Sequence, residues 1–402
     1  MTIGQDAPPR ALRVLMIAPT PFFADRGCHV RILEEVRILT RRGHQVLVAT
    51  YHHGRDVDGV QTVRTPHIPW YQKLAPGPSV HKLYVDLLLT RTSLRAAARF
   101  RPHIIHAHLH EGVFVGNFVR RATGAPLVAD FQGSLAGEIA DHIRGRPFRF
   151  LARRVFGPIE HWLTQLPDRI VSSSSRFADT LAEHRSREGI ALLADCVDTE
   201  RFRPGMGSPA LRQELGIPAD RQIIVFLGVL TPYQGVDLLL EAAPRVLAAR
   251  QDVHFLIMGY PNVERYTARA RELGIDAHVT FTGRVDYDRA QNYLGLGELA
   301  VSGKLSSTEA NGKLYNYMAC GLATVVFDTP VNREILGDLG VYAALGDAAD
   351  LAERILALLA APAERAARGA ALRARAVADY SWERFGEQME AIYRQLLSDR
   401  PR

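Results

Sequence analysis

The sequence predicts an α/β protein made of two doubly wound parallel-sheet domains in tandem. Short apolar runs of strand length alternate with amphipathic helical stretches, the rhythm of βαβ units. That rhythm breaks near residue 200 and then restarts with a new first strand. A chain of 402 residues, 47% hydrophobic and 23% charged, has ordinary globular composition and more length than one core needs.

The elements follow in order. Arg13-Val-Leu-Met-Ile-Ala18 is a buried strand ended by Pro19, and a loop with Pro and Gly runs on to Gly27. Ile32, Leu33, Val36 and Leu39 then recur at helical spacing, and Arg41, Arg42 and Gly43 close that helix with a basic turn and a C-cap. Val46–Ala49, His103–Ala107, Pro126–Asp130 and Arg169–Ser172 are further strands, with residues 66–80, rich in Pro, as an exposed loop. The linker lies around Leu193–Ser208, which places one domain at 1–200 and a second at 201–380. Gln222–Gly228, Asp252–Met258, His278–Phe281, Glu298–Val301 and Ala323–Phe327 are strands of the second sheet. Residues 381–402 form a closing helix with Phe385, Met389, Ile392, Tyr393 and Leu396 on one face and Ser381 as N-cap. In such sheets ligands bind beyond the carboxyl ends of the strands, so residues just after strands are the ones to inspect.

Composition excludes several classes. No apolar run approaches the ~20 residues of a membrane span, and Met1–Arg13 lacks the apolar segment of a secretory signal. Cys28, Cys196 and Cys320 lie far apart, without metal-type pairing, which fits a reducing compartment and a cytoplasmic protein. No nucleic-acid module is present. Charge is uneven: residues 1–200 carry 26 Lys and Arg against 19 Asp and Glu, a net +7, whereas residues 201–402 carry −1. The basic half is either a solvated surface or one that meets an anionic acceptor or the inner face of a membrane, with Trp70 and Tyr71 at its surface.

The densest chemistry lies in Glu309-Ala-Asn-Gly-Lys-Leu-Tyr-Asn-Tyr-Met-Ala-Cys-Gly321. It follows a strand and a Ser/Thr loop, and a helix can start at Lys313. A helix N-terminus with a lysine beside it suits a diphosphate. Glu309 is placed to accept hydrogen bonds from sugar hydroxyls, and Asn316, one turn in, to reach a ribose. This stretch resembles the donor-site signature of the retaining family-4 glycosyltransferases of GT-B fold, in which a Glu and a Gly-rich turn precede a Met-Ala-x-Gly tail, here Met318–Gly321. Further segments resemble the family in order along the chain: Arg42–Val46, Val197–Pro204, Gly228 with Gln234–Leu239, Phe281–Val285 and Tyr380–Glu383. The resemblance implies two Rossmann-like domains facing across a cleft, with the last helix packing back on the first.

It further implies transfer of a sugar from a nucleotide-diphosphate sugar with retention, no tightly bound cofactor and no metal requirement. The donor site it implies comprises Gly27, Gly228, Gln234, Arg284, Val285, Asn311, Gly312, Lys313, Leu314 and Asn316. Three positions of the donor site depart from the family: Val229 and Gln234 stand where it usually has Arg and Lys, and Asn316 where it has a second Glu. Charge-assisted contacts to phosphate are the strong ones, so the load falls on Lys313, with Lys304 or Arg284. An unusual donor, and a catalytically impaired GT-B scaffold that binds nucleotide sugars or a partner, are the alternatives those departures leave open.

On the first domain, the Arg26-Gly27-Cys28 loop resembles the family's glycine loop, which approaches donor and acceptor closely. Asp130-Phe-Gln-Gly-Ser134 resembles the place where the family often carries a histidine on the donor sugar. Here Gln132 can hydrogen-bond but not titrate, leaving Asp130 and Glu138 as secondary candidates. His106-Ala-His108-Leu-His110-Glu111 could present three imidazoles on one strand face, but i, i+2 and i+4 on an extended strand span too far for one ion. His108, His110 and Glu111 are expected either to line the acceptor side, with Asp130, or to serve the structure of the first domain. The catalytic set is then Glu309, Lys313, Gln132 and His108. The acceptor is a glycan, a lipid-linked intermediate or a small metabolite.

Overall fold

The structure, a computed structural model, describes residues 11–24, 27–72, 81–142, 146–173, 175–306 and 311–399. Glu309 and Arg26, residues 73–80 of the exposed loop and the Glu138 side chain lie outside that description. The chain divides into two compact units, residues up to 194 with residues from 382 onward, and residues 195–381.

In the first unit the strands are β1 (Arg13–Ala18), β2 (Gln45–Thr50), β3 (Gln61–Arg64), β4 (Ile104–His108), β5 (Leu127–Phe131), β6 (Arg169–Ser172) and β7 (Ile190–Leu192). They pair in parallel in the order β3-β2-β1-β4-β5-β6-β7. Its helices are α1 (Gly27–Arg41), α2 (His81–Phe100), α3 (Leu109–Thr123), α4 (Leu135–His142), α5 (Arg146–Thr164) and α6 (Ser175–Ala182). Leu15, Ile17, Ile105, Ala107, Leu127 and Ala129 form the centre of its core, as expected for apolar strands covered on both faces.

The second unit contains β8 (Gln222–Leu227), β9 (Val253–Met258), β10 (Val279–Gly283), β11 (Leu299–Ser302), β12 (Thr324–Phe327) and β13 (Val341–Ala343). These are also parallel, in the order β10-β9-β8-β11-β12-β13. Its helices are α7 (Pro209–Glu214), α8 (Val236–Ala249), α9 (Val263–Glu272), α10 (Ala290–Leu294), α11 (Lys313–Ala319), α12 (Pro330–Leu336), α13 (Ala348–Ala360) and α14 (Pro362–Asp379). Three of them start on side-chain caps: Ser208 accepts from Leu211, Thr329 from Asn332, and Asp347 from Ala349 and Asp350.

The last helix, α15 (Trp382–Ser398), returns to the first unit. Phe385, Met389 and Tyr393 recur every fourth residue and are buried there. Gly386 lets α15 approach α1 closely: a Cβ at that position would stand 2.5 Å from Ile38 Cγ1 and 2.9 Å from Arg42 Cδ. Arg42 closes the contact with a 2.8 Å ion pair to Glu390.

Candidate functional site

In the second unit the strand order reverses between β8 and β11, the place where a doubly wound sheet opens a crevice for a ligand. Gly228 follows β8. Its φ of +155° suits glycine, and a Cβ there would lie 2.6 Å from Lys313 Nζ. The missing side chain is what admits the ammonium group. Lys313 Nζ donates to Gln234 Oε1 at 2.8 Å and lies 4.5 Å from the centre of the Phe226 ring. Gln234 closes the short turn Pro232–Gln234, and Gly235, at φ +75°, starts α8. A Cβ on Gly235 would stand 1.9 Å from the carbonyl oxygen of Gly303, so the turn after β8 rests directly on the chain leaving β11. Lys304, the next residue, is buried with its Nζ 5.8 Å from the Tyr233 ring centre. Burial, reinforced by the charge of Lys304, pushes Lys313 well below the ordinary lysine range. Lys313 over Gly228, with the charge of Lys304 close enough to act on it, makes the switch point an anion site of the kind a diphosphate fills.

The remaining donor-side residues divide. Asn311 is buried, donating to Ser302 Oγ at 3.1 Å and to Asn332 Oδ1 at 2.9 Å, so it ties the loop to the end of β11 and to α12. Leu314 is a correction: its side chain is fully buried in the core and its N–H is bonded to the Asn311 carbonyl, leaving neither for a ligand. Gly312 is exposed, and Asn316 is half-buried one turn into α11. That helix spans only seven residues, so its dipole is a smaller contributor than the lysines. Arg284 is exposed and Val285 partly buried, both just beyond β10, two strands from the switch point.

In the first unit the order reverses between β1 and β4. Gly27 is the exposed first residue of α1, with open space where a Cβ would stand. Strand β4 ends at His108, and Leu109, at φ +61°, turns the chain into α3. The three histidines therefore part company. The His106 and His108 rings stack 4.6 Å apart, both fully buried. His110 sits in the first turn of α3, stacked 4.4 Å from Phe131, with its Nε2 3.7 Å from Glu160 Oε1; burial lowers its pKa. Glu111 pairs with Lys82 at 2.7 Å, and that contact outweighs burial and lowers its pKa. Gln132 follows β5, with its Nε2 buried and lacking a hydrogen-bond partner.

Beneath this crest Glu35, His106, His108 and Asp130 come together, all buried, with one donor atom from each within 4.8 Å of the others. The expectation that no metal is required is corrected by this cluster. Counting histidines along one extended strand missed where the donors come from. His106 and His108 share a face of β4, Asp130 is the register partner of His108 on β5, and Glu35 descends from α1. Arg31 touches both acids, Nε to Glu35 Oε1 at 3.0 Å and Nη2 to Asp130 Oδ2 at 2.9 Å. The sequence signal for Glu35 was an acid between Ile32 and Leu39 on the apolar stripe of α1, four residues after an arginine.

With both crests described, the family is plain. Residues 26–194 match the model of the glycosyl transferase 4-like domain, and residues 208–375 match that of glycosyl transferases group 1. The chain belongs to the GT-B-fold glycosyltransferases related to family 4, and it transfers a sugar from a nucleotide-sugar donor. Among its relatives is the GDP-mannose-dependent monoacylated alpha-(1-6)-phosphatidylinositol monomannoside mannosyltransferase of Corynebacterium glutamicum. It is 32% identical over 228 residues, which span 54% of this chain and 58% of that one. The phosphatidyl-myo-inositol mannosyltransferase of Mycobacterium leprae is 25% identical over 393 residues, 95% of this chain and 96% of that one. Among solved structures, HepE of Anabaena in complex with UDP and glucose shares the fold at a TM-score of 0.76 and 15% identity, covering 95% of this chain and 99% of its own.

Proposed function

We propose that this chain moves a hexose, with retention, from a nucleoside diphosphate sugar to a lipid-linked acceptor at the cytoplasmic face of a membrane. Lys313 and Lys304 would stabilise the departing diphosphate, with Gly228 giving it room and Gln234 holding Lys313. The leaving phosphate would take the acceptor proton on the same face as attack. The relatives named above act on phosphatidylinositol derivatives, which supports a lipid acceptor.

The observation that carries the lipid part is the surface of α5. Phe148, Leu151, Val155, Ile159 and Trp162 recur at steps of three and four, and each is between 42% and 64% exposed. Arg146, Arg149, Arg153 and Arg154 are interspersed along the same helix. Its one acid, Glu160, is turned inward to Ser134 Oγ and the Ala136 N–H. An apolar stripe with arginines suits a helix lying in an anionic lipid interface, as on the cytoplasmic leaflet. Trp70 is also exposed, whereas Tyr71, expected beside it at the surface, is buried against His53. Among the described residues no helix is long and apolar enough to cross a membrane.

The test is transfer from a panel of labelled nucleotide hexoses, GDP-mannose first, to phosphatidylinositol in vesicles and to soluble inositol phosphate. The proposal expects label in the lipid phase and a product of the donor's anomeric configuration by NMR. It also expects at least a roughly tenfold loss of lipid transfer in the Leu151→Asp, Val155→Asp double variant. Transfer to the soluble acceptor alone, or lipid transfer unchanged in that variant, contradicts it.

A further inference from the structure

We propose that Glu35, His106, His108 and Asp130 form a site for a transition-metal ion, best suited to zinc, that ties β4, β5 and α1 together beneath the crest of the first unit. The inference concerns this buried cluster and does not depend on the donor or acceptor.

Geometry comes first. Glu35 Oε2 lies 3.6 Å from His106 Nε2 and 3.7 Å from His108 Nε2, and His106 Nε2 lies 3.9 Å from an Asp130 carboxylate oxygen. A tetrahedron with zinc–nitrogen and zinc–oxygen arms of about 2.1 Å has edges of about 3.4 Å. These three separations stand within about half an ångström of that edge, and all four donors lie within 4.8 Å of one another. Two imidazoles and two carboxylates are a donor set of zinc type.

Unsatisfied polarity comes second. His106 Nε2, both ring nitrogens of His108 and Asp130 Oδ1 are buried and make no hydrogen bond. His106, His108 and Asp130 are each fully buried. Buried polar atoms are rarely left without partners, and several that converge on one point call for an ion or a water.

The surroundings fit as well. His106 Nδ1 lies 2.5 Å from the hydroxyl of Tyr393, so a metal on Nε2 leaves the other ring nitrogen to donate to that oxygen, the usual way a ligating histidine is held. Arg31 engages Glu35 through Oε1 and Asp130 through Oδ2, which orients both carboxylates and leaves Glu35 Oε2 between the imidazoles. One guanidinium, that of Arg31, faces two carboxylates here, those of Glu35 and Asp130.

The test uses the full, untagged chain, stripped with a chelator, reloaded with zinc chloride and desalted. The proposal expects about one zinc per chain by elemental analysis and a melting temperature several degrees above the stripped protein. Cobalt in place of zinc should give the visible absorption of a tetrahedral site. His108→Asn and Asp130→Asn should each lose most of the metal, whereas His110→Asn, whose ring stacks on Phe131 outside the cluster, should keep it. Less than roughly a tenth of an equivalent of zinc, with no thermal shift from zinc, cobalt or manganese, overturns the proposal. So does unchanged zinc content in a folded His108→Asn protein.

Discussion

Lys313 is the residue whose protonation the donor should control. Its pKa is lowered in the free protein by burial and by Lys304, and a bound diphosphate would raise it again. Between the free and bound values, binding must take up a proton. Donor affinity should therefore be complete below the free-state pKa and fall as pH rises through the window toward the bound-state pKa. Calorimetry in buffers of different ionisation enthalpy reads that uptake directly, and a binding heat independent of buffer would contradict it. Gly228→Val should place a side chain where Lys313 Nζ now lies and weaken donor binding about tenfold or more, with the far-ultraviolet spectrum unchanged. Gly228, Gln234 and Lys313 were legible in the sequence because they stand just beyond strands or at the start of a helix, and topology brings such places together. Leu314 and Asn311 were not. Their neighbours along the chain are ligand-type residues, but burial assigned one to the core and the other to a hydrogen-bond network. Glu35 escaped because periodicity weighs apolar positions and passes over the adjacent acids Glu34 and Glu35 among them.

At the scale of elements, the longer apolar strands were easy to read and the short edge strands were not. Strands β3, β7 and β13 are three or four residues long, and their sequences, Gln-Thr-Val-Arg, Ile-Ala-Leu and Val-Tyr-Ala, carry too little pattern to stand out. They form because a neighbouring strand offers a free edge. The closing helix was readable from its every-fourth-residue face and its return to the first domain from the family resemblance, but not that α1 is the helix it meets, since Gly386 speaks only once Ile38 lies against it. Gly386→Leu should force α15 from α1 and cost about 1–3 kcal/mol, the range for overpacking a tight contact. Urea unfolding measures this, and an unchanged midpoint would contradict the packing. Helix α5 should bring Trp162 into the lipid interface. In a Trp70→Phe background, anionic vesicles should shift tryptophan emission to the blue, because the remaining Trp382 is already buried. No shift would contradict a docked α5.

At the scale of the whole molecule, the chain passes between its units twice, near residue 195 and near residue 382, so the first unit is complete only with the last helix. The alternation of strands and helices and its restart near residue 200 made the two-sheet plan legible, because a doubly wound sheet imposes that rhythm on any sequence that builds it. The excess of positive charge also belongs to this scale. With +7 on residues 1–200, vesicle binding should weaken steadily between about 0.05 and 0.5 M salt as screening shortens the reach of the arginines. Binding indifferent to salt would mean that the charge has no part in it. The central claim is that the lysine crest of the second unit holds the diphosphate of a nucleotide sugar. The measurement that tests it most directly is the thermal shift of the wild-type chain and of Lys313→Met with GDP-, UDP-, ADP- and dTDP-sugars. The account predicts that at least one donor raises the wild-type melting temperature by several degrees. It predicts no such rise in Lys313→Met, whose ligand-free melting temperature should be no lower, since a buried, desolvated amine has been removed. A donor shift that survives in Lys313→Met, or no shift with any donor, would contradict it.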